Sequence, residues 1–319
     1  MSRAVVLLQL GGPDTPEAIE PFLANLFADP YTIPLPWWLK PFQPRLARVV
    51  AKRRAPLVAD LYRHMGGASP ILANTVAQAR ALEAELACRG ASVPVHVAMR
   101  CWHPLTEHVV DNLLAARARE VTLLPLYPQE SSATTGSAVA RFEEVSRERG
   151  APWEIRVARS YPVEPGYVAA IRETVHEALA RFENPGQAVI LFSAHSLPMV
   201  IVAAGDPYPE QIAATRAAVE AGLGLPNRTA LSFQSQAGPV KWLGPTTHDA
   251  ISALAGQGVR DLLLVPLGFV SEHLETLYEM DVLYGEHARS LGMRFERAAA
   301  PGTHPAFIGA LADVVARHV

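Results

Sequence analysis

Residues 261–285 read DLLLVPLGFVSEHLETLYEMDVLYG. The run Leu262–Val265 is too short for a helix and apolar enough for a parallel strand buried on both faces. Pro266 and Gly268 break it. Ser271 is then placed to cap a helix, with Glu272 and Glu275 in the first turn, where negative charge is favoured. Polar residues therefore gather at the carboxyl end of a strand and the start of a helix, where ligands bind in open α/β sheets. Glu272, Glu275 and Glu279 share one helical face, and His273 sits within the same turn. On spacing alone the plainer reading is a helix cap with a solvated acidic face.

The same design recurs along the chain. Segment 119–132, REVTLLPLYPQESS, parallels 259–272, VRDLLLVPLGFVSE: charge, apolar strand, proline, then a polar loop. Further short apolar runs at Ala4–Leu10, Val95–Met99, Ala188–Phe192 and Thr229–Phe233 end in Gly-, Pro- or Ser-rich turns that lead into helical patterns. Strand–helix alternation implies parallel sheets built from βα units. Two similar α/β halves with a ligand between them follow, residues 1–152 and 153–319, with Gly150-Ala151-Pro152 as linker. The last helix, Pro305–His318, is expected to pack back on the first half. No GxGxxG follows a strand, and no P-loop, HExxH or GxSxG occurs; a dinucleotide site is disfavoured. The stretch GGASP at 66–70 is a weak phosphate cradle.

Composition narrows the function. The 319 residues carry 28 Lys and Arg against 31 Asp and Glu, a formal net charge of −3. No basic excess exists to neutralise phosphates, which argues against nucleic acid as a partner. Cys88 and Cys101 form no CxxC, consistent with a reducing, cytoplasmic setting and no zinc ribbon. The opening run Ala4–Leu10 leads straight into Gly-Gly-Pro-Asp and does not read as a signal peptide. No apolar stretch approaches the roughly 18 residues of a transmembrane helix. Thr15 and Glu17 suggest a capped amphipathic helix. Residues 29–44, DPYTIPLPWWLKPFQP, contain too many prolines for a regular helix yet hold Trp37, Trp38 and Phe42. So apolar a loop is either packed down or forms a lip over a pocket or membrane surface. Ala47–Arg54, ARVVAKRR, reads as a short basic helix or turn that stops before Pro56.

Four long motifs, in this order, resemble the ferrochelatase family: SAHSLP (193–198), GDPYPEQ (205–211), SFQSQAGPVKWLGPTT (232–247) and GFVSEHLETLYEMD (268–281). LGGPDTPEAIEPFL, AKRRAP, GGASPI, RCWHPLTE and YPQESSATTGS extend the resemblance over roughly residues 4 to 315. It implies two Rossmann-like halves, each a four-stranded parallel sheet with helices, around a porphyrin cleft. It also implies insertion of ferrous iron into protoporphyrin IX to form haem b. Inserting a metal into a porphyrin removes two pyrrole protons and strips water from Fe²⁺. A histidine with a free pKa of about 6.5 can accept protons at cellular pH, and ferrous iron suits imidazole and carboxylate ligands.

A lone His195 is most simply a satisfied core histidine. Within SAHSLP the resemblance makes it the proton acceptor or iron ligand, with Glu275 opposite as the second ligand. Glu272 and His273 are implied close by as catalytic groups, and Glu279 as part of an acidic path. Arg54 and Ser69 are implied to hold propionates, Tyr62, Arg100 and Tyr127 to line the porphyrin site, Trp242 to pack near the ring and Phe269 beside the active helix. The loop with Trp37 and Trp38 corresponds to the family's active-site lip, so a peripheral membrane contact through 34–42 is a further expectation. Departures from animal members are Glu272 for an aspartate, Leu283 for a third acid, Leu10 for a methionine and Cys101 for a tyrosine. Ser132 stands where animal members place a [2Fe–2S] cysteine, and no cysteine-bearing tail follows, so no cluster and no cofactor beyond substrate Fe²⁺ is expected. Competing readings are a coproporphyrin III ferrochelatase, a cobalt chelatase and a non-catalytic porphyrin or haem carrier. A carrier would need no base.

Overall fold

The structure, a computed structural model, describes residues 2–33, 35, 37–224, 226–238 and 240–318. Among the described residues eight strands form two sheets of four. The first holds β1 (Arg3–Gln9), β2 (Val95–Met99), β3 (Glu120–Pro125) and β4 (Glu154–Val157) in the order β2-β1-β3-β4. The second holds β5 (Val189–His195), β6 (Thr229–Gln234), β7 (Asp261–Pro266) and β8 (Arg294–Arg297) in the order β6-β5-β7-β8. Every pairing is parallel. The central strands are continuous apolar runs because helices cover both of their faces: Val5–Leu8 and Leu262–Val265 are essentially inaccessible. Fully burying one such Leu is worth about 1.5–3 kcal/mol.

The chain divides into two compact units. One comprises Met1–Tyr161 with Ile308–Val319, the other Pro162–Phe307. In the first unit Val6, Leu8, Leu113, Leu123, Phe142 and Trp153 form a core around the sheet. In the second, Leu191, Ile251, Leu264, Met280 and Phe295 do the same. The sequence reading ends the first half at Pro152. The boundary instead falls nine residues later, because β4 pairs with β3 and so belongs to the first sheet. Within the first unit the closing segment is fastened by Arg89, which pairs with Asp313 at 2.5 Å and donates to the Gly309 carbonyl at 3.3 Å.

Two local readings are corrected and a third, left open between two alternatives, is decided. The basic segment does not stop before Pro56: one helix runs Gln43–Arg63 with Pro56 inside it. Pro56 lies on the exposed face, so the carbonyl it leaves unbonded can turn to water. Pro44 stands at the helix start, where a missing N–H costs nothing. Thr15 makes no side-chain cap; a 3₁₀ turn at Pro16–Ala18 leads into the helix Ile19–Ala28. The aromatic loop is not packed down. Trp37, Trp38 and Phe42 are 82%, 58% and 57% exposed; Pro34 and Pro36 lie outside the described residues.

Candidate active site

His195 is the last residue of β5. Its carbonyl accepts from the Tyr208 hydroxyl at 3.0 Å, and the next N–H, of Ser196, donates to the Gln234 carbonyl at 2.9 Å. The ring is oriented by its own loop: Nδ1 lies 2.5 Å from the Ser196 carbonyl. A carbonyl only accepts, so Nδ1 carries the proton and Nε2 holds the lone pair of the neutral ring. That Nε2 faces Glu275 Oε1 at 3.7 Å.

Glu275 comes from the exit of β7. After Pro266 the Leu267 N–H donates to the Ser193 carbonyl, and Gly268 turns with φ +88°, a conformation that favours glycine. Ser271 does not cap the following helix, as the spacing suggests; it is buried and its carbonyl faces His273 Nδ1 at 3.0 Å. The helix has no side-chain cap; Thr276, inside it, ties the entering turn, its hydroxyl accepting from the His273 N–H at 3.0 Å and donating to the His273 carbonyl at 3.1 Å. The helix itself is a π-helix over Glu275–Tyr284, a form usually confined to one turn and frequent at functional sites.

The two histidines bracket one carboxylate. His273 Nε2 stands 3.5 Å from Glu275 Oε2, and the Phe269 ring leans on His273 at 5.3 Å. Burial would raise the pKa of Glu275, but His195 and His273 outweigh it and hold the carboxyl at about 2. Burial likewise opposes charge on His273, and Glu275 reverses it, raising the imidazole above its ordinary value. Glu279, one turn on, accepts from Ser235 Oγ at 2.6 Å and Gln234 Nε2 at 3.2 Å. Burial and the neighbouring Glu275 charge push its carboxyl up to about 7. The pair thus offers one firmly ionised acid beside one poised near neutrality.

Glu272 is not in this group. Its Oε1 accepts from Arg297 Nη1 at 2.9 Å and from the Ala300 N–H at 2.9 Å. With the helix starting later than the spacing implies, Glu272 precedes it and is directed to β8, so a catalytic role for it is withdrawn. Trp242 is half-buried beside the His195 exit loop: it bridges to Pro198, and its indole N–H donates to the Ala237 carbonyl at 3.1 Å.

The remaining expected residues lie in the first unit. Arg54 is exposed on the helix Gln43–Arg63, its guanidinium 5.9 Å from the Phe27 ring centroid. Tyr62 on the same helix is buried, and Tyr127 after β3 is half-buried. Ser69 is buried, its backbone N–H bonded to the Pro13 carbonyl at 2.7 Å. Arg100 is already committed: Nη2 pairs with the fully buried Asp29 carboxylate at 3.0 Å and Nε donates to Ser137 Oγ at 2.8 Å.

A ferrochelatase family model matches residues 2–319. The chain is 44% identical over 318 residues to a ferrochelatase of Geotalea uraniireducens, covering 99% of this chain and 98% of that one. It is 44% identical over 315 residues to one of Gloeobacter violaceus, covering 98% and 96%. The chain belongs to the ferrochelatase family.

Ferrochelatases are iron-inserting chelatases, and this member is an enzyme of that kind. Among solved structures it is similar to SirB from Bacillus subtilis with Fe³⁺, at TM-score 0.58 and 12% identity over 99% of this chain and 95% of that one. A second likeness is to a multi-domain Deinococcus radiodurans protein, at TM-score 0.52 and 15% identity over 99% and 54%. At these identities the likeness shows the fold. Among the described residues no three His, Cys, Asp or Glu side chains close round one point as a resident metal site would need. A ferrochelatase handles its metal as a substrate that must move on. Gln234, Ser235 and Tyr208 are site residues that sequence reasoning misses. For Gln234 and Ser235 the one signal is position, at or just past a strand end, which says nothing about which carboxylate they reach; Tyr208 opens a helix 13 residues beyond His195 and gives no such signal.

Proposed function

We propose that this ferrochelatase inserts Fe²⁺ into protoporphyrin IX to form haem b, with His195 as proton acceptor or iron ligand and Glu275 as the opposing iron ligand. One observation carries the reading: a basic Nε2, fixed by its backbone contact, faces an ionised carboxylate at 3.7 Å. Metallation is redox-neutral: the porphyrin gives up two N–H protons as Fe²⁺ takes their place. His195 accepts the two pyrrole protons in turn at Nε2, handing the first on before taking the second, and Glu275 keeps its charge to attract the cation. Glu279, poised near neutrality, passes protons outward through the Ser235 hydroxyl, while the Gln234 amide holds its carboxylate in place. Few ligands suit a metal that must leave. Arg54 and Ser69 hold propionates; Tyr62, Tyr127 and Trp242 contact the ring. Arg100, neutralised by Asp29, contributes contact rather than free positive charge.

Coproporphyrin III is the alternative substrate. Anaerobic Fe²⁺ offered with each porphyrin and followed by visible absorption separates the two. Activity on protoporphyrin IX is expected; a strong preference for coproporphyrin III would reverse the assignment, and failure on both would favour the carrier. No [2Fe–2S] cluster is part of this proposal, and an iron–sulfur absorption band with matching acid-labile sulfide would refute that. We also propose a peripheral membrane contact of a cytoplasmic protein. No helix among the described residues is long and apolar enough to cross a membrane, but Trp37, Trp38 and Phe42 stand in solvent on the lip. A Trp37→Ser/Trp38→Ser variant should co-sediment less with liposomes.

A further inference from the structure

The π-helix Glu275–Tyr284 poses a physical question. Such helices have poorer hydrogen-bond geometry than α-helices and rarely exceed one turn, yet this one runs ten residues. Something outside its own ladder must hold it.

Arg297, the last residue of β8, is placed to do so. Its side chain is only 11% exposed. Nε and Nη2 form a two-pronged pair with Asp281 at 2.6 and 2.9 Å, while Nη1 reaches Glu272 at 2.9 Å and the Ala298 carbonyl at 3.0 Å. Glu272 precedes the π-helix and Asp281 lies within it, so one guanidinium grips both sides of the segment that carries His273, Glu275 and Glu279. The first sheet supplies an internal comparison. Arg297 stands in register with Leu264, and the equivalent position beside Leu123 is Val157. The corresponding π-turn there, Ser132–Gly136, is five residues long and has no such grip from that position.

We infer that Arg297 is a positioning residue for metal insertion: its joint pairing with Glu272 and Asp281 holds the π-helix in the register that sets Glu275 against His195. The inference rests on the iron-insertion reading for its effect on rate, but not for its effect on the helix. Lysine could not reproduce the planar fork. Removing the guanidinium leaves two half-buried carboxylates without their shared cation.

Arg294, three residues earlier on β8, provides the control. It pairs with Asp261 at 2.6 Å and Glu183 at 3.0 Å and so anchors the same strand without touching the π-helix. Arg297→Met, Arg297→Lys and Arg294→Met are compared in the full chain by thermal melting, amide hydrogen exchange, porphyrin Kd and steady-state insertion of Fe²⁺ into protoporphyrin IX. For Arg297→Met, exchange across 277–284 should rise at least ~10-fold well below Tm. Its kcat should fall ~10–100-fold with porphyrin Kd unchanged, since small misplacements of reacting groups cost about that much. Arg297→Lys should be intermediate. Arg294→Met should lose comparable Tm while keeping π-helix protection and keeping kcat within about threefold. If Arg297→Met does not fold, Asp281→Asn, which weakens the same grip, is read in its place with the same expectations. Unchanged exchange in 277–284, or matching kcat losses for Arg294→Met and Arg297→Met, would overturn the inference. A wild type that inserts no iron would strike the function reading, and the exchange measurement would still judge the clamp.

Discussion

The two sheets are copies in topology and opposites in chemistry. Each has the strand that comes first in the sequence second in the order, and each sends its third strand out the same way. Leu126 N–H returns to the Leu8 carbonyl of β1 just as Leu267 N–H returns to Ser193 of β5, both at 2.9 Å. Each exit then passes through a π-helical turn into an α-helix, Ser137–Glu148 in one case and Gly285–Ser290 in the other. The first turn carries Ser132, Thr134 and Thr135; the second carries Glu275 and Glu279 with His273 just before it. The backbone site is therefore duplicated, but the first turn itself carries only hydroxyls, and the acid just before it, Glu130, is paired with Arg159 at 3.2 Å. Fold places the opportunity, and side chains decide whether it is used.

If that contrast is sound, substitutions in the two exits should differ sharply. The largest effect is expected at His195: His195→Ala should remove insertion, a loss of at least ~10³-fold, while porphyrin Kd stays nearly unchanged. Near-normal turnover would end its role as base, and an unfolded product would return it to the core. Glu275→Gln comes next, with kcat down at least ~100-fold, the porphyrin Kd unchanged and the melting curve nearly so. A helix-cap role alone predicts only ~0.3–1 kcal/mol of stability and normal catalysis, so rates and melts measured together separate the two.

Glu279→Gln should cost less rate, because it lies one turn farther from the strand end. It also carries a pH signature. Its folded pKa of about 7 lies above the free carboxylate value of ~4.3. Between those values the folded state holds more protons than the unfolded one, so stability falls as pH rises through that window. Glutamine removes the penalty, and the Tm gain of Glu279→Gln over wild type should be larger at pH 8 than at pH 5. A gain that is flat with pH would contradict the burial of this acid beside Glu275. The smallest effect belongs to the silent copy. Thr135 is fully buried and its hydroxyl has no hydrogen-bond partner among the described residues, so Thr135→Val should leave kcat unchanged and hold or raise Tm. A tenfold fall in kcat would show that the first exit shares in the chemistry.

Much of this architecture is legible in the amino-acid order. The apolar runs at Ala4–Leu10, Val95–Met99 and Leu262–Val265 announce buried parallel strands, because a strand covered on both faces has no polar positions to confuse the pattern. The motifs around His195 and Glu275 name the family for the same reason: they are contiguous and local. The edge strands Glu154–Val157 and Arg294–Arg297 are not legible, since four mixed polar residues at a sheet margin look like loop until a neighbour pairs with them. Nor is the continuity of the helix through Pro56, which depends on which face meets water. Side-chain partnership is hidden most deeply. Glu272 sits one residue from His273, yet it is drawn to Arg297, 25 positions away, while Glu279 is reached by Ser235 across 44. Sequence alone determined the apolar strands, the duplicated plan and the family, because those signals are periodic or contiguous. Only the tertiary structure decided which acid faces His195 and which are spent on ion pairs, because Coulomb and hydrogen-bond energies depend on distance in space and not along the chain.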